Sequence, residues 1–202
     1  MDRTPVLLAG LPTALQWAGT PASSASLTAQ GLRMDVATTT DLFCDPQGQP
    51  PVLNAPRLLF PADRHFTLSA YVTVAFEATY DAGVLLIYQQ ETIWAKLCCE
   101  YSPQQQPMIV SVVTNGRSDD ANAVVLDQSR AFLRITGLGE AFAFHYSLDG
   151  MTWQLVRYFR LPRPDQVQIG FSVQAPTGTH CEAEFTNIQY GTASVSDIRS
   201  GV

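Results

Sequence analysis

The sequence predicts an all-β protein built as a sandwich of two antiparallel sheets. From Thr67 to Tyr190, β-branched and aromatic runs recur between turn residues, and helical periodicity is nearly absent. The 202-residue chain is 46% hydrophobic and 15% charged, which is enough apolar material for one large core. We therefore expect a single domain over residues 1–191. Residues 192–202 offer little to bury, so we expect them to form a flexible C-terminal tail.

The individual strands follow from alternation and turn residues. The runs with strand character are LQW (15–17), GLRMDVAT (31–38), TDLF (40–43), 66–78, 82–89, 93–101, 108–115, VVLDQ (124–128), 131–139, 142–153, 167–176 and 180–190. Asp149-Gly150 predicts a tight hairpin turn inside one of these runs. The Pro- and Ser-containing stretch 19–26 predicts a loop.

Charge and cysteine usage narrow the class of protein. Eighteen acidic against twelve basic residues give a net charge of −6, which argues against a nucleic-acid partner. No apolar run approaches the ~20 residues of a membrane helix, and VLLAGLP near the N-terminus is a poor signal peptide. We therefore expect a cytoplasmic protein without a membrane partner. The chain has no metal-type Cys/His spacing, so we expect no metal and no cofactor, and reduced thiols at Cys44, Cys98, Cys99 and Cys181.

The strand IWAKLCCEY (93–101) carries the most informative pattern in the chain. Trp94, Lys96 and Glu100 lie at even spacings and therefore project from one face of the strand. The opposite, core-like face carries Ala95, Leu97, Cys99 and Tyr101. An aromatic ring beside a cation and a carboxylate suits a polyhydroxylated ligand. The alternative is a solvent-facing salt bridge beside a rim tryptophan.

Three further residues are candidates for the same ligand site. Tyr80 and Asp81 come just before the preceding strand. In FAFHYS, alternation places His145 with Ser147 on the face away from the phenylalanines, so His145 is expected to join the polar strip. A structural histidine is the alternative.

The segment SVVTNGRSDD (111–120) supplies a second group of candidates. It is expected to end a strand and to present Asn115, Ser118, Asp119 and Asp120 on one loop. Such oxygen-rich loops bind calcium or sugar hydroxyls. The alternative is a turn held by side chain-to-backbone hydrogen bonds.

A pair of carboxylates near the C-terminus suggests a different chemistry. Glu182 and Glu184 alternate with apolar residues and share one strand face. Paired acids of this kind serve glycosidases. The alternative is a solvated strand face.

Six segments of the chain, taken together, resemble one known family. They are TDLF (40–43), YDAGVLLI (80–87), WAKLCCEY (94–101), SVVTNGRSDD (111–120), FHYSLDGMTWQLVR (144–157) and QIGFSVQAPTGTHCEAEF (168–185). The family includes the fungal regulation-of-enolase protein and many small bacterial proteins. The resemblance implies a concanavalin A-like jelly roll with a polar concave face, a lectin-like character, and links to galactose metabolism and enolase. The chain departs from the pattern at Phe43, where a tryptophan is common.

The expected function is non-catalytic, lectin-like binding of a carbohydrate or sugar-like metabolite, with a regulatory role in sugar metabolism. One alternative is a protein-interaction module that regulates a metabolic enzyme such as enolase. Another is a glycoside hydrolase or isomerase that uses Glu100, or the Glu182/Glu184 pair, with His145.

Overall fold

A computed structural model describes residues 4–19, 23–162, 166–193 and 195–202. The described residues contain strands and no helix. In chain order the strands are β1 (Gln16–Ala18), β2 (Ser23–Leu27), β3 (Gly31–Val36), β4 (Leu42–Phe43), β5 (Val52–Leu53), β6 (Arg57–Pro61), β7 (His65–Ala75), β8 (Ala82–Gln90), β9 (Ile93–Tyr101), β10 (Pro107–Asn115), β11 (Arg117–Val125), β12 (Arg130–Leu138), β13 (Phe142–Ser147), β14 (Gln154–Phe159), β15 (Gln168–Gln174) and β16 (Cys181–Gly191).

The strands form two seven-stranded antiparallel sheets and a small hairpin. The first sheet has the order β1-β6-β15-β8-β9-β10-β11, and the second has the order β14-β13-β12-β7-β16-β3-β2. The hairpin pairs β4 with β5. The protein is therefore a concanavalin A-like jelly-roll sandwich, as the sequence predicts. The prediction of a loop over 19–26 is wrong in part, because Ser23–Leu27 pairs with β3 as an edge strand.

The main core lies between the two seven-stranded sheets. Alternation along β9 sends Ala95, Leu97 and Cys99 into it, all fully buried, as predicted. Gly83 on β8 lies against the facing sheet, where a Cβ atom would come within 2.7 Å of Val72 Cγ1. The two sheets thus approach too closely for a side chain at that point.

A second apolar layer covers the outer face of the first sheet. Residues 41–55, which contain the β4–β5 hairpin, place Leu42, Cys44 and Ala55 against that face. Cys44 donates its backbone N–H to Ser118 Oγ at 2.9 Å, and Ser118 N–H donates to the Cys44 carbonyl at 2.8 Å. The outer face of this sheet is consequently buried over much of its area.

Residues 195–202 cover the part of the second sheet's outer face that carries Arg134 and His145. Arg134 donates from Nη2 to the Gly201 carbonyl at 2.6 Å, and His145 Nε2 lies 2.7 Å from the Ile198 carbonyl oxygen. This segment belongs to the stretch for which the sequence predicts a flexible tail.

Two smaller findings bear on the nature of the chain. Cys44, Cys98, Cys99 and Cys181 are all free thiols and all buried. The described residues include no helix that could cross a membrane.

Candidate functional site

The strip predicted on β9 lies on the outer face of the first sheet. Lys96 stands directly beside Val112 of β10, and Val112 stands beside Asp120 of β11, so these side chains share a row. Above them is a cavity of about 270 Å³. It is lined by Asp41, Phe43, Tyr80, Lys96, Glu100, Val112, Asp120 and Gln174. A cavity of this size, with convergent polar groups, is suited to a small ligand.

Lys96 anchors the polar wall of this cavity. Its side chain is 3% exposed and donates from Nζ to Asp41 Oδ1 at 3.1 Å and to Gln174 Oε1 at 2.9 Å. Burial lowers the pKa of Lys96, but the negative charges around it, Asp41 first, outweigh burial and raise that pKa overall. Lys96 is therefore a fixed cation.

The wall opposite the sheet is built by the start of residues 41–55. Asp41 donates its N–H to Asn54 Oδ1 at 2.9 Å and accepts a hydrogen bond from Ala55 N at 3.0 Å. Its Oδ1 also accepts from Leu42 N at 2.7 Å. These bonds orient the carboxylate toward Lys96 and place Phe43 at the cavity rim.

The third side of the cavity is a strained turn before β8. Tyr80 has a φ of 71°, a left-handed conformation that non-glycine residues rarely adopt. The turn is held because Gln174 Nε2 donates to the Tyr80 carbonyl at 3.1 Å and Tyr80 N–H donates to Tyr101 at 2.7 Å. Strain of this kind is common at ligand sites. It presents the Tyr80 ring at the mouth of the cavity.

Glu100 is the least satisfied of the lining residues. It is 8% exposed, yet its carboxyl makes neither a hydrogen bond nor an ion pair with any described residue. Burial raises the pKa of Glu100 to about 8, since the favourable charge of Lys96 is offset by Asp120 and Asp41. At neutral pH this carboxyl is mostly protonated, so it can both donate and accept a hydrogen bond.

Asp120 completes the row on β11. Asp120 is exposed, and its partial desolvation beside the cavity raises its pKa, against the opposing influence of Lys96 and of the Ala121 N–H. The cavity thus joins three carboxyl groups to one cation.

The prediction that Trp94 offers a stacking surface is wrong. Its side chain is fully buried in the second apolar layer and donates from Nε1 to the Glu91 carbonyl at 3.2 Å. Residues 41–55 cover it, so no ligand can reach the ring. Phe43 and Tyr80 supply the aromatic surface of the cavity instead.

The prediction that His145 joins the strip is also wrong. Alternation correctly places it on an outward face, but β13 belongs to the second sheet, on the other side of the sandwich. Asp81 is next to the cavity without lining it. Its Oδ2 accepts from the backbone N–H groups of Glu77 and Ala78, both at 2.8 Å, and so closes the turn before β8.

The expected loop over SVVTNGRSDD is instead a tight hairpin between β10 and β11 that turns at Gly116. Because its residues alternate between faces, they do not converge. Ser118 forms hydrogen bonds with the Cys44 backbone and, between hydroxyl oxygens 2.9 Å apart, with Thr114. Asp119 lies on the opposite face and forms an ion pair with Arg157 at 2.7 Å. Asn115 is exposed at the strand end and does not reach the cavity. No group of three or more His, Cys, Asp or Glu in the described part of the chain could hold a metal ion.

The carboxylate pair near the C-terminus lies elsewhere. Glu182 and Glu184 project from the outer face of the second sheet, partly exposed, and Glu182 is 3.6 Å from Arg33. This is the solvated strand face that the sequence leaves as the alternative.

Sequence reasoning missed two polar lining residues, Asp41 and Gln174, and it did not name Phe43 or Val112 as site residues. Asp41 lies inside TDLF, a segment that the family resemblance already singles out. Gln174 is a buried polar residue at the end of an apolar strand, 2% exposed. Because a buried amide needs hydrogen-bond partners, a glutamine at the end of this apolar strand could have indicated a polar site beside it.

Comparisons with known proteins agree with this architecture. A 106-residue stretch is 33% identical to "Regulation of enolase protein 1" of Saccharomyces cerevisiae and covers 52% of this chain and 53% of that protein, so the chain matches about half the length of this relative. A solved Saccharomyces cerevisiae protein of unknown function superposes with a TM-score of 0.80 at 24% identity, covering 89% of this chain and 96% of that one.

More distant structures share the fold alone. The GH43 protein BlXynB of Bacillus licheniformis has a TM-score of 0.59 at 14% identity, covering 80% of this chain and 33% of that one. The exoplasmic/lumenal domain of VIP36, solved in a Ca²⁺/Man3GlcNAc-bound form, has a TM-score of 0.57 at 12% identity, covering 90% of this chain and 85% of that one.

The family assignment rests on a match over nearly the whole sandwich. The model of the family described as "Protein of unknown function (DUF1349)" matches residues 17–193, which include all the residues that line the cavity. The chain therefore belongs to the DUF1349 family.

Proposed function

We propose that the protein is a non-catalytic, lectin-like domain that binds a carbohydrate or sugar-like metabolite in the cavity above Lys96. The observation that carries this proposal is the cavity itself, about 270 Å³ in volume, with Phe43 and Tyr80 at its edge and Lys96, Glu100 and Gln174 inside it. Sugar rings present apolar faces to aromatic side chains and hydroxyl groups to polar ones. The lining supplies both kinds of surface.

Hydrogen-bonding capacity also supports a polyhydroxylated ligand. The protonated Glu100 carboxyl can donate and accept, and Gln174 and Asp120 add acceptors. Lys96 is held by two partners and is thus a fixed donor. Preformed polar groups of this kind give orientation and selectivity to a small site.

The test is calorimetric titration of the purified chain with a panel of neutral monosaccharides and disaccharides. Phe43→Ala should weaken any saturable binding by roughly tenfold, because it removes the aromatic wall from the edge of the cavity. Glu182→Gln is the matched control, since that carboxylate is solvated on the other sheet. Absence of saturable binding to any saccharide, with a folded protein, would contradict the proposal.

The relative's name favours a second candidate function. A domain similar to "Regulation of enolase protein 1" can act by contacting a metabolic enzyme. Leu148 and Met151, in the turn after β13, are 70% and 77% exposed and offer apolar surface for such a contact. Sedimentation of the chain mixed with purified enolase, with Leu148→Asp as the comparison variant, tests this. Independent sedimentation of the two proteins would exclude it.

A further inference from the structure

The charges around the cavity do not balance. Among the described residues, its lining holds the carboxyl groups of Asp41, Glu100 and Asp120 but only one cation, Lys96. Lys96 is engaged by Asp41 at 3.1 Å and by Gln174 at 2.9 Å. Its charge is therefore matched to Asp41, and two carboxyl groups remain without a cationic partner at the site.

Glu100 is the clearer of these two groups. Only 8% of it is exposed, and it lines the cavity. No described residue forms a hydrogen bond or ion pair with its carboxyl. A buried carboxyl without a partner is costly, and the cavity is the direction from which a partner can come.

Asp120 faces the same space from the next strand but one. Arg157, a cation near it, pairs instead with the neighbouring Asp119 at 2.7 Å on the opposite face of β11. Asp120 is in register with Val112 and Lys96, whereas Glu100 pairs with Met108, so the two carboxyl groups enter the cavity from β9 and β11 at points four residues apart along the strands. A cationic group beside Glu100 would therefore also be attracted, at longer range, by Asp120.

We propose that the ligand is an aminated sugar or similar amino polyol whose ammonium group is bound by Glu100, with Asp120 adding a second negative charge on the far side of the cavity. The inference rests on the proposed function, since it names the class of carbohydrate that the same cavity takes. The hydroxyl groups meet Lys96 and Gln174, and the Tyr80 and Phe43 rings lie at the edge of the cavity. Aromatic faces also attract a nearby cation.

An ammonium ligand has a consequence that a neutral sugar lacks. The pKa of Glu100 is raised to about 8 by burial, so at about pH 6.5 its carboxyl is protonated before binding. An adjacent ammonium favours the ionised form and drives the proton into solution. A neutral sugar leaves the carboxyl protonated.

The groups that face Glu100 determine how far this titration can shift. They are Lys96 and Cys98 of its own strand, Asp120 of β11, Asp41 of residues 41–55 and Tyr80 of the turn before β8. Lys96 is the sole cation among them and lies with Asp41. The ligand's ammonium is therefore the group that can ionise Glu100.

The experiment compares matched ligands by calorimetry at about pH 6.5, where amino sugars are still largely protonated. The probes are glucosamine, N-acetylglucosamine and glucose, and the corresponding galactose series, each titrated in two buffers of different ionisation enthalpy. The amino sugar should bind roughly tenfold more tightly than its neutral counterparts, the difference expected of one charge-assisted hydrogen bond. It should also release about one proton, which the neutral sugars should not.

Variants identify the groups responsible. Glu100→Gln should abolish proton release, and Asp120→Asn should weaken amino-sugar binding severalfold, by loss of its longer-range attraction, while leaving neutral sugars unchanged. Asp119→Asn is the matched control, because it lies next to Asp120 but on the other face. Asp120→Asn keeps the inference testable if Glu100→Gln fails to fold.

The outcomes separate this inference from the proposed function. Neutral sugars that bind as tightly as amino sugars, or amino sugars that bind without proton release, would overturn the inference and leave carbohydrate binding standing. Failure of every sugar to bind would overturn both.

Discussion

The outer face of each sheet carries a buried cation beside a tryptophan, but one face keeps an open cavity and the other is covered by the chain itself. On the first sheet, Lys96 is 3% exposed and its Nζ lies 5.8 Å from the centre of the Trp94 ring. On the second sheet, Arg134 is 8% exposed and stacks 4.0 Å from the centre of the Trp153 ring. Each face thus buries one cation beside a tryptophan.

The difference lies in what completes each cluster. Lys96 has a carboxylate partner, and a cavity with a further carboxyl group remains open beside it. Arg134 has no carboxylate partner in the part of the chain that the structure describes, and burial lowers its pKa to about 10. Residues 195–202 close that face with backbone carbonyls, yet Arg134 Nε and His145 Nδ1 stay without a hydrogen-bond partner. The comparison indicates that the first face is arranged for a ligand and the second for closure by the chain itself.

The largest effect should come from removing the buried ring of the first face. Trp94→Ala should lower the free energy of unfolding by about 3–5 kcal/mol, because it leaves a cavity beneath residues 41–55. Urea unfolding measures this. A loss below about 1 kcal/mol would mean that the ring is not a packing element.

Separating the ion pair should have the next largest effect. Asp41→Asn leaves Lys96 buried without its anion, and we expect a loss of about 3 kcal/mol, the lower end for buried pairs because Asp41 is partly exposed. Glu184→Gln, on a solvated strand face, is the control and should change little in the same unfolding experiment. If Asp41→Asn and Glu184→Gln had the same free energy of unfolding, the Lys96–Asp41 pair would not differ in energetic importance from a solvated strand face.

Glu100→Gln should raise the free energy of unfolding, in contrast to the two preceding variants. Because burial raises the pKa of Glu100 from 4.5 to about 8, the folded state binds a proton more tightly than the unfolded state, and stability falls as pH rises from about 4.5 through 8. The variant should be more stable than the wild type at about pH 8, on the order of 2 kcal/mol, and its stability should depend less on pH. Unfolding curves across that range will show it. Parallel pH profiles for the two proteins would contradict the assignment.

The smallest effect should come from loosening the closure of the second face. Gly201 has a φ of 72°, and a Cβ there would meet Arg134 and Trp153, so Gly201→Ala should cost about 1–2 kcal/mol. Burial lowers the pKa of His145, so its NMR titration midpoint should rise toward the ordinary value if the segment lifts. Ligand binding at the cavity should not change. An unaltered His145 titration would mean that residues 195–202 do not keep this face dry.

The period-two pattern of the sequence predicted the faces of the strands correctly. It placed Lys96 and Glu100 opposite the main core because Ala95, Leu97 and Cys99 are apolar and alternate with them. The same pattern could not predict that residues 41–55 fold over the outer face, and so it read Trp94 as accessible.

His145 shows a second limit of the pattern. Alternation reports which face of its own sheet a residue occupies, but it does not report to which sheet the strand belongs. That depends on non-local pairing, such as the insertion of β15 between β6 and β8. Asp41 was missed for a related reason, because it reaches the cavity from a segment that is 55 residues from Lys96 in the chain.

The floor of the cavity is built by paired strands of the first sheet, whereas one wall is built by residues 41–55. The floor, with Lys96, Glu100 and Asp120, belongs to long paired strands, whose backbone pairing fixes where these side chains stand. The wall that carries Asp41 and Phe43 is a short surface excursion, and such segments tolerate substitution and insertion far better than strands do. Related chains can therefore acquire new ligands by exchanging this one excursion while inheriting the same charged floor.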